Sequence, residues 1–175
     1  TTINTGAYLA SLGKKVLVVD LDSQANATSG LGISQENVTI NLYHCLTDGA
    51  HPKEAIIPTS VENYHVLPAS VDLAGAAVEL ISVQGREFKL FEVIQKVSAE
   101  YDFILIDCPP SLGLITINAL VAAKSVLIPL QCEFFALEGL SHLLKTIKLV
   151  QRKLNTCLTI QGVVLTMYDI RNRLT

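Results

Sequence analysis

Apolar residues along this chain gather into short unbroken runs separated by amphipathic stretches, and two of the runs stop on carboxylates. Val16-Leu17-Val18-Val19 has no polar alternation and ends at Asp20, Leu21 and Asp22. Such a run predicts a strand buried on both faces, as in the centre of a parallel sheet. Phe103-Ile104-Leu105-Ile106 repeats the pattern as a second buried run and leads into Asp107, Cys108, Pro109 and Pro110. Two successive prolines cannot extend a hydrogen-bonded ladder, so the chain must turn directly after Asp107. Further strands are predicted at His65 to Pro68, Ser125 to Leu130 and Ile160 to Met167.

Between the strands the period becomes helical. Thr2 to Leu12 carries apolar residues at 3, 7, 9, 10 and 12 and closes on Gly13, the pattern of a helix with a C-terminal glycine. Val71 to Val83 collects Leu73, Ala76, Ala77, Leu80 and Ile81 on one side, and Arg86 to Ala99 collects Phe88, Phe91, Val93, Ile94 and Val97. Short helical pieces are expected at 42–46 and 52–57, a mostly buried helix at 114–123 and a long one at 137–154. Ser23 to Ile33 is small and polar, a composition suited to a mobile loop or short helix rather than a core element. The alternation predicts a doubly wound α/β fold, a mostly parallel sheet with helices on both faces. With no internal repeat, low-complexity tract or linker, residues 1–175 read as a single domain.

Composition supports a globular chain: among 175 residues, 50% are hydrophobic and 17% charged, enough for a sizeable core. A net charge of −3 provides no bulk attraction to nucleic acid or anionic membrane. No apolar run approaches the roughly 18 residues needed to span a bilayer, and the first residues lack a signal-peptide layout, so a cytosolic protein is expected. Cys45, Cys108, Cys132 and Cys157 are widely spaced without a C-x-x-C pair, and His44, His51, His65 and His142 show no ligand spacing. Reduced core thiols are the expectation, not a Cys/His metal centre. Phe134-Phe135 reads as core or interface packing rather than a base-stacking platform.

The carboxylates carry the candidate chemistry. Open α/β sheets bind ligands outside the carboxyl ends of their strands, where Asp20, Asp22 and Asp107 are placed. Two carboxylates two residues apart on an extended chain share a face at roughly 7 Å and repel unless a cation or hydrogen-bond donors balance them. The alternative is that Asp20 and Asp22 cap the following helix. Three carboxylates on one rim, with serine and threonine nearby, suit Mg²⁺, which prefers oxygen ligands and keeps most of its water while bridging to phosphate. The chain starts at Thr1 inside a predicted helix, at whose N-terminus a phosphate-binding fold places a glycine-rich loop and lysine. Such a loop would lie upstream, so a fragment cut inside the phosphate-binding motif is expected.

Longer blocks bear out this reading. Val19 to Thr28 resembles a V-D-L-D-P-Q-G-N-A-T switch, with Ser23 replacing proline and Ala25 replacing glycine while every carboxylate is kept. Leu105 to Gly113, Thr116 to Leu120, Pro129 to Gly139 and Leu165 to Arg171 continue the match, so that the chain resembles the ParA-type partitioning ATPases, including the Soj branch, within the MinD-like NTPases with a deviant Walker A loop. The resemblance covers nearly all 175 residues.

The resemblance implies ATP and Mg²⁺ as cofactors. Asp22 would orient or activate the attacking water, Asp107 would hold a magnesium-bound water, and Asp20 would support the same metal network. Gln24 and Asn26 would sense the γ-phosphate or reach across a dimer interface, or else be solvated loop residues. Pro109 and Pro110 would belong to a second switch segment, and Thr166 and Met167 would lie near the nucleotide base, with core packing the alternative for Met167. It also implies an ATP-driven homodimer that binds DNA non-specifically through residues beyond Thr175, a ParB-type partition protein that stimulates hydrolysis, and a cytoplasmic, nucleoid-associated protein without a membrane role.

The family's K-G-G-V-G-K-T-T loop would precede Thr1, so the fragment alone is expected to be inactive. A strand preceding that loop would be lost with it: about five buried apolar residues at ~1.5–3 kcal/mol each, roughly 10 kcal/mol. That matches a typical domain's margin, so the fragment alone is expected to be unfolded or to aggregate. Competing readings are a MinD-like membrane-associated ATPase, an iron–sulfur relative using Cys108 or Cys132, a phospho-accepting receiver domain with Asp107 as acceptor, and a non-catalytic binding module. The switch at Gln24 to Thr28 favours the partitioning branch. Against the receiver domain stand the wide separation of Asp107 from Asp22 and the lack of a strand-terminal lysine after Pro129.

Overall fold

Strand β1 (Val16–Asp20) is buried at every residue, as its uninterrupted apolar run requires. In a computed structural model that describes residues 1–131 and 134–168, with the side chains of 134–137 left aside, β1 lies inside a four-stranded sheet. Its parallel neighbours are β3 (Tyr64–Leu67) and β4 (Phe103–Asp107), and the short β2 (Ile57–Pro58) pairs antiparallel with β3. The order is β2-β3-β1-β4.

Successive side chains of a strand point to opposite faces. Val16 and Val18 pack with Ala10 of helix α1 (Thr2–Ser11), Ala27 of α2 (Asn26–Gly30), and Tyr64 and Val66 of β3. Leu17 and Val19, on the other face, are also fully buried. Helix α1 approaches the sheet so closely that a Cβ at Gly6 would lie 2.4 Å from the Tyr64 hydroxyl oxygen, and that hydroxyl donates to the Ile3 carbonyl at 3.0 Å.

The chain divides into two compact units, Thr1–Ala119 and Leu120–Thr175. The first also contains α3 (Leu42–Thr47), α4 (Pro52–Ala55), α5 (Leu73–Glu79), α6 (Lys89–Gln95) and most of α7 (Leu114–Ala122). The second holds the parallel pair β5 (Ser125–Gln131) and β6 (Thr159–Thr166) with α8 (Phe134–Lys153). There Asn155 Nδ2 donates to the carbonyls of Leu120, Val121 and Ala123, satisfying acceptors that the end of a helix leaves open. Among the described residues no helix is long and apolar enough to cross a membrane.

Several expectations shift. Strand β4 is half-buried rather than buried on both faces, because it forms the edge of its sheet. The 71–83 segment is helical only over Leu73–Glu79; a 3-10 turn at Leu80–Ser82 rotates Ile81 outward to 60% exposure while Leu80 stays inside. In the 86–99 segment a 3-10 turn also precedes the helix, and Asn118 Oδ1 accepts from Leu90 N–H at 3.1 Å. That anchor turns Leu90, Val93 and Val97 inward and leaves Phe88 and Phe91 36% and 41% exposed. Cys132, Glu133, the side chains of Phe134 and Phe135, and the stretch from Asp169 onward lie outside the described residues.

Candidate functional site

Asp20 ends β1 and Asp107 ends β4, and the two are register partners on adjacent parallel strands. The ladder continues one step further, with Leu21 N–H donating to the Asp107 carbonyl at 2.9 Å. Beyond it the chain leaves the strand direction. Asp22 N–H turns back to Asp20 Oδ1 at 3.2 Å, and Asp22 Oδ1 accepts from Gln24 N–H at 3.0 Å. The three carboxylates therefore occupy one edge of the sheet, the carboxyl end of its parallel strands.

Their environments differ. Asp20 is fully buried, and its Oδ2 accepts from both the backbone N–H and the hydroxyl of Thr28, each at 2.7 Å. Burial raises its pKa above the ordinary 3.8; the bonds from Thr28 and Asp22 oppose the rise and the charge of Asp107 adds to it. Donors meet both oxygens of Asp20, and its bond to Thr28 N–H in the first turn of α2 fits the capping alternative. Asp22 and Asp107 are half-buried. Asp107 Oδ1 accepts from the Thr2 hydroxyl at 2.5 Å. Among the described residues no donor meets the second oxygen of Asp22 or Asp107, and no lysine or arginine pairs with either.

Within Ser23 to Ile33 the chain forms the short helix α2, one of the two forms its composition suits. Ala25 adopts the left-handed conformation (φ 50°), which reverses the chain so that α2 folds back over the end of β1. Ala25, Ala27 and Thr28 are consequently buried, while Gln24 and Asn26 face outward. Pro109 is half-buried and Pro110 exposed in the turn after Asp107. Thr166 and Met167 belong to the second unit, at the carboxyl end of β6, where Met167 is 85% exposed with φ 54°.

Thr2 and Thr28 are the two site residues to which sequence reasoning gave no role. Their signal is faint: a hydroxyl at a helical position otherwise filled by apolar or small residues. Among the described residues, no three of His, Cys, Asp and Glu gather closely enough to ligate a metal directly. The free oxygens of Asp22 and Asp107 instead fit partners of a hydrated ion, which magnesium remains when phosphate supplies part of its shell.

Comparison with known proteins gives the family. Residues 1–160 match the family model of an AAA domain. The chain is 55% identical over 174 residues to the sporulation initiation inhibitor protein Soj of Bacillus subtilis (strain 168), covering 99% of the chain and 69% of that protein. It is 53% identical over 171 residues to the chromosome partitioning protein ParA of Myxococcus xanthus (strain DK1622), covering 98% of the chain but only 60% of that protein. A crystal structure of cobyrinic acid a,c-diamide synthase from Mycobacterium smegmatis with bound ADP and magnesium superposes with a TM-score of 0.93 at 39% identity, over 98% of this chain and 69% of that one. The chain thus belongs to the ParA/Soj family of partitioning ATPases and has their α/β fold.

Proposed function

We propose that this chain forms the hydrolytic part of an ATP-dependent DNA-partitioning protein. The observation that carries the proposal is the pairing of Asp20 with Asp107 at one sheet edge, with Asp22 on the turn that follows. Phosphoryl transfer asks a protein mainly to position reactants and balance charge. Asp22, with one oxygen fixed by Gln24 N–H and the other free, orients the attacking water and accepts its proton. Asp107, set by the Thr2 hydroxyl, would help to hold magnesium through a bound water. Asp20 supports the network by fixing the backbone of Asp22 rather than by direct ligation. Magnesium bound with ATP supplies neutralisation of the phosphate charge.

Gln24 and Asn26 are exposed on the turn where a γ-phosphate or a second subunit would be sensed, and Pro109-Pro110 stiffens the corresponding turn after β4. Thr166 and Met167 are assigned to the surroundings of the base. In this reading residues 1–175 act as one nucleotide-binding domain of a cytoplasmic, nucleoid-associated protein. The γ-phosphate orders the switch turns, two subunits join, the dimer binds DNA non-specifically, and a ParB-type partner stimulates hydrolysis and release. The identity to Soj and ParA supports this cycle.

The test uses the full-length protein. Sedimentation with ATP, ADP or no nucleotide should show a dimer only with ATP, and only that dimer should retain non-specific duplex DNA. DNA retention independent of nucleotide would overturn the partitioning cycle, and ATP-dependent binding to anionic vesicles instead would assign the protein to membranes.

A further inference from the structure

Thr28 is fully buried, and its hydroxyl works in two directions: it donates to Asp20 Oδ2 at 2.7 Å and accepts from Ala69 N–H at 3.1 Å. Its own backbone N–H reaches the same carboxylate oxygen at 2.7 Å. The end of β1, the first turn of α2 and the segment leaving β3 therefore meet at one side chain. A hydroxyl has one proton and two lone pairs, so both bonds use capacity that serine would keep and that valine, of nearly the same shape, would lose. From there the bonding is continuous. Asp20 Oδ1 accepts from Asp22 N–H, and Asp22 Oδ1 in turn accepts from Gln24 N–H. Only the Asp20 carboxylate lies between the Thr28 hydroxyl and the backbone of Asp22.

We infer that Thr28 is a positioning residue for hydrolysis: it locks Asp20 in the orientation that fixes the Asp22 backbone, and it ties that setting to the Pro68-Ala69 segment. The inference rests on the reading of Asp22 as the water-orienting group. A residue that serves only to fill space would behave differently. Packing is kept by Thr28→Val and lost by Thr28→Ser, whereas the hydrogen bonds are lost by Thr28→Val and kept by Thr28→Ser. The two substitutions thus rank in opposite orders under the two roles.

The experiment compares full-length wild type, Thr28→Val and Thr28→Ser by ATP turnover, affinity for a fluorescent ATP analogue, and amide hydrogen exchange. Thr28→Val should lower kcat about 10- to 100-fold with nucleotide affinity unchanged, and Thr28→Ser should stay within about threefold of wild type, as expected for a small misplacement of a reacting group. Exchange at residues 22–28 and at Ala69 should accelerate in Thr28→Val and not in Thr28→Ser. The exchange readout needs no turnover, so a wild-type protein that fails to hydrolyse ATP would sink the proposed function while the latch itself was still decided. Unchanged exchange in Thr28→Val, accelerated exchange with normal kcat, or a greater loss in Thr28→Ser than in Thr28→Val would each overturn the inference.

Discussion

The hydroxyl of Thr2 donates to Oδ1 of Asp107 across 105 positions of sequence, at 2.5 Å, and so fastens the first turn of α1 to the end of β4. The bond leaves the other oxygen of Asp107 without a donor among the described residues, and in the proposed function that oxygen would face a hydrated ion. Partners of this outer kind typically change metal affinity or activity by about 10- to 100-fold when removed. Thr2→Val in the full-length protein should therefore raise the magnesium concentration giving half-maximal ATP turnover by about tenfold or more. A magnesium titration at saturating ATP checks this, and a curve identical to wild type would remove Thr2 from the metal network.

Gly6 is required by contact rather than by backbone conformation. A Cβ there would sit 2.4 Å from the Tyr64 hydroxyl oxygen and within 2.7 Å of two ring carbons, against a fully buried side chain. Gly6→Ala should destabilise by about 1–3 kcal/mol, the usual cost of overpacking a tight core. Tyr64→Phe should cost about 1 kcal/mol for the lost bond to Ile3. It should not rescue Gly6→Ala, because the ring carbons remain. Chemical denaturation of the two single variants and the double variant measures all three.

Asn118 spends its amide on three backbone groups: Nδ2 donates to the carbonyls of Arg86 and Leu114, and Oδ1 accepts from Leu90 N–H. Asn118→Leu would leave the buried Leu90 N–H unpaired, at a cost of about 1–3 kcal/mol. The expected result is a lowered Tm together with faster amide exchange at the start of α6. Unchanged exchange at Leu90 would show that the bond does not set that helix.

The raised pKa of Asp20 gives a pH dependence with a definite sign. Folded Asp20 holds its proton to a higher pH than the unfolded chain, whose carboxyl titrates near 3.8. Its contribution to stability is therefore complete below 3.8 and is lost as pH rises through the folded value. Asp20→Asn lacks this titration, so the Tm of wild type should fall relative to Asp20→Asn as pH climbs from 3.8. Thermal melts of both proteins across acidic pH check the direction, and a wild type that gains on the variant over that range would contradict it.

The centre of the sheet was legible because Val16 to Val19 can be satisfied only by burial on both faces, and Asp20 and Asp107 were legible because each halts an unbroken apolar run. What α2 buries was not. Small residues such as Ala25, Ala27 and Thr28 look like a mobile loop or short helix outside the core until the left-handed turn at Ala25 folds them over β1. The rotation of α6 was likewise hidden, since it depends on Asn118, 28 residues beyond Leu90. The bonds Thr2–Asp107 and Thr28–Ala69 join segments that only the tertiary fold brings together, and local periodicity carries no trace of them.

The most direct measurement of the central claim is ATP turnover by full-length wild type and Asp22→Ala, with nucleotide affinity measured alongside. The account predicts that wild type hydrolyses ATP, and that Asp22→Ala binds the nucleotide as tightly but turns it over at the uncatalysed background. Turnover by Asp22→Ala equal to that of wild type would contradict it.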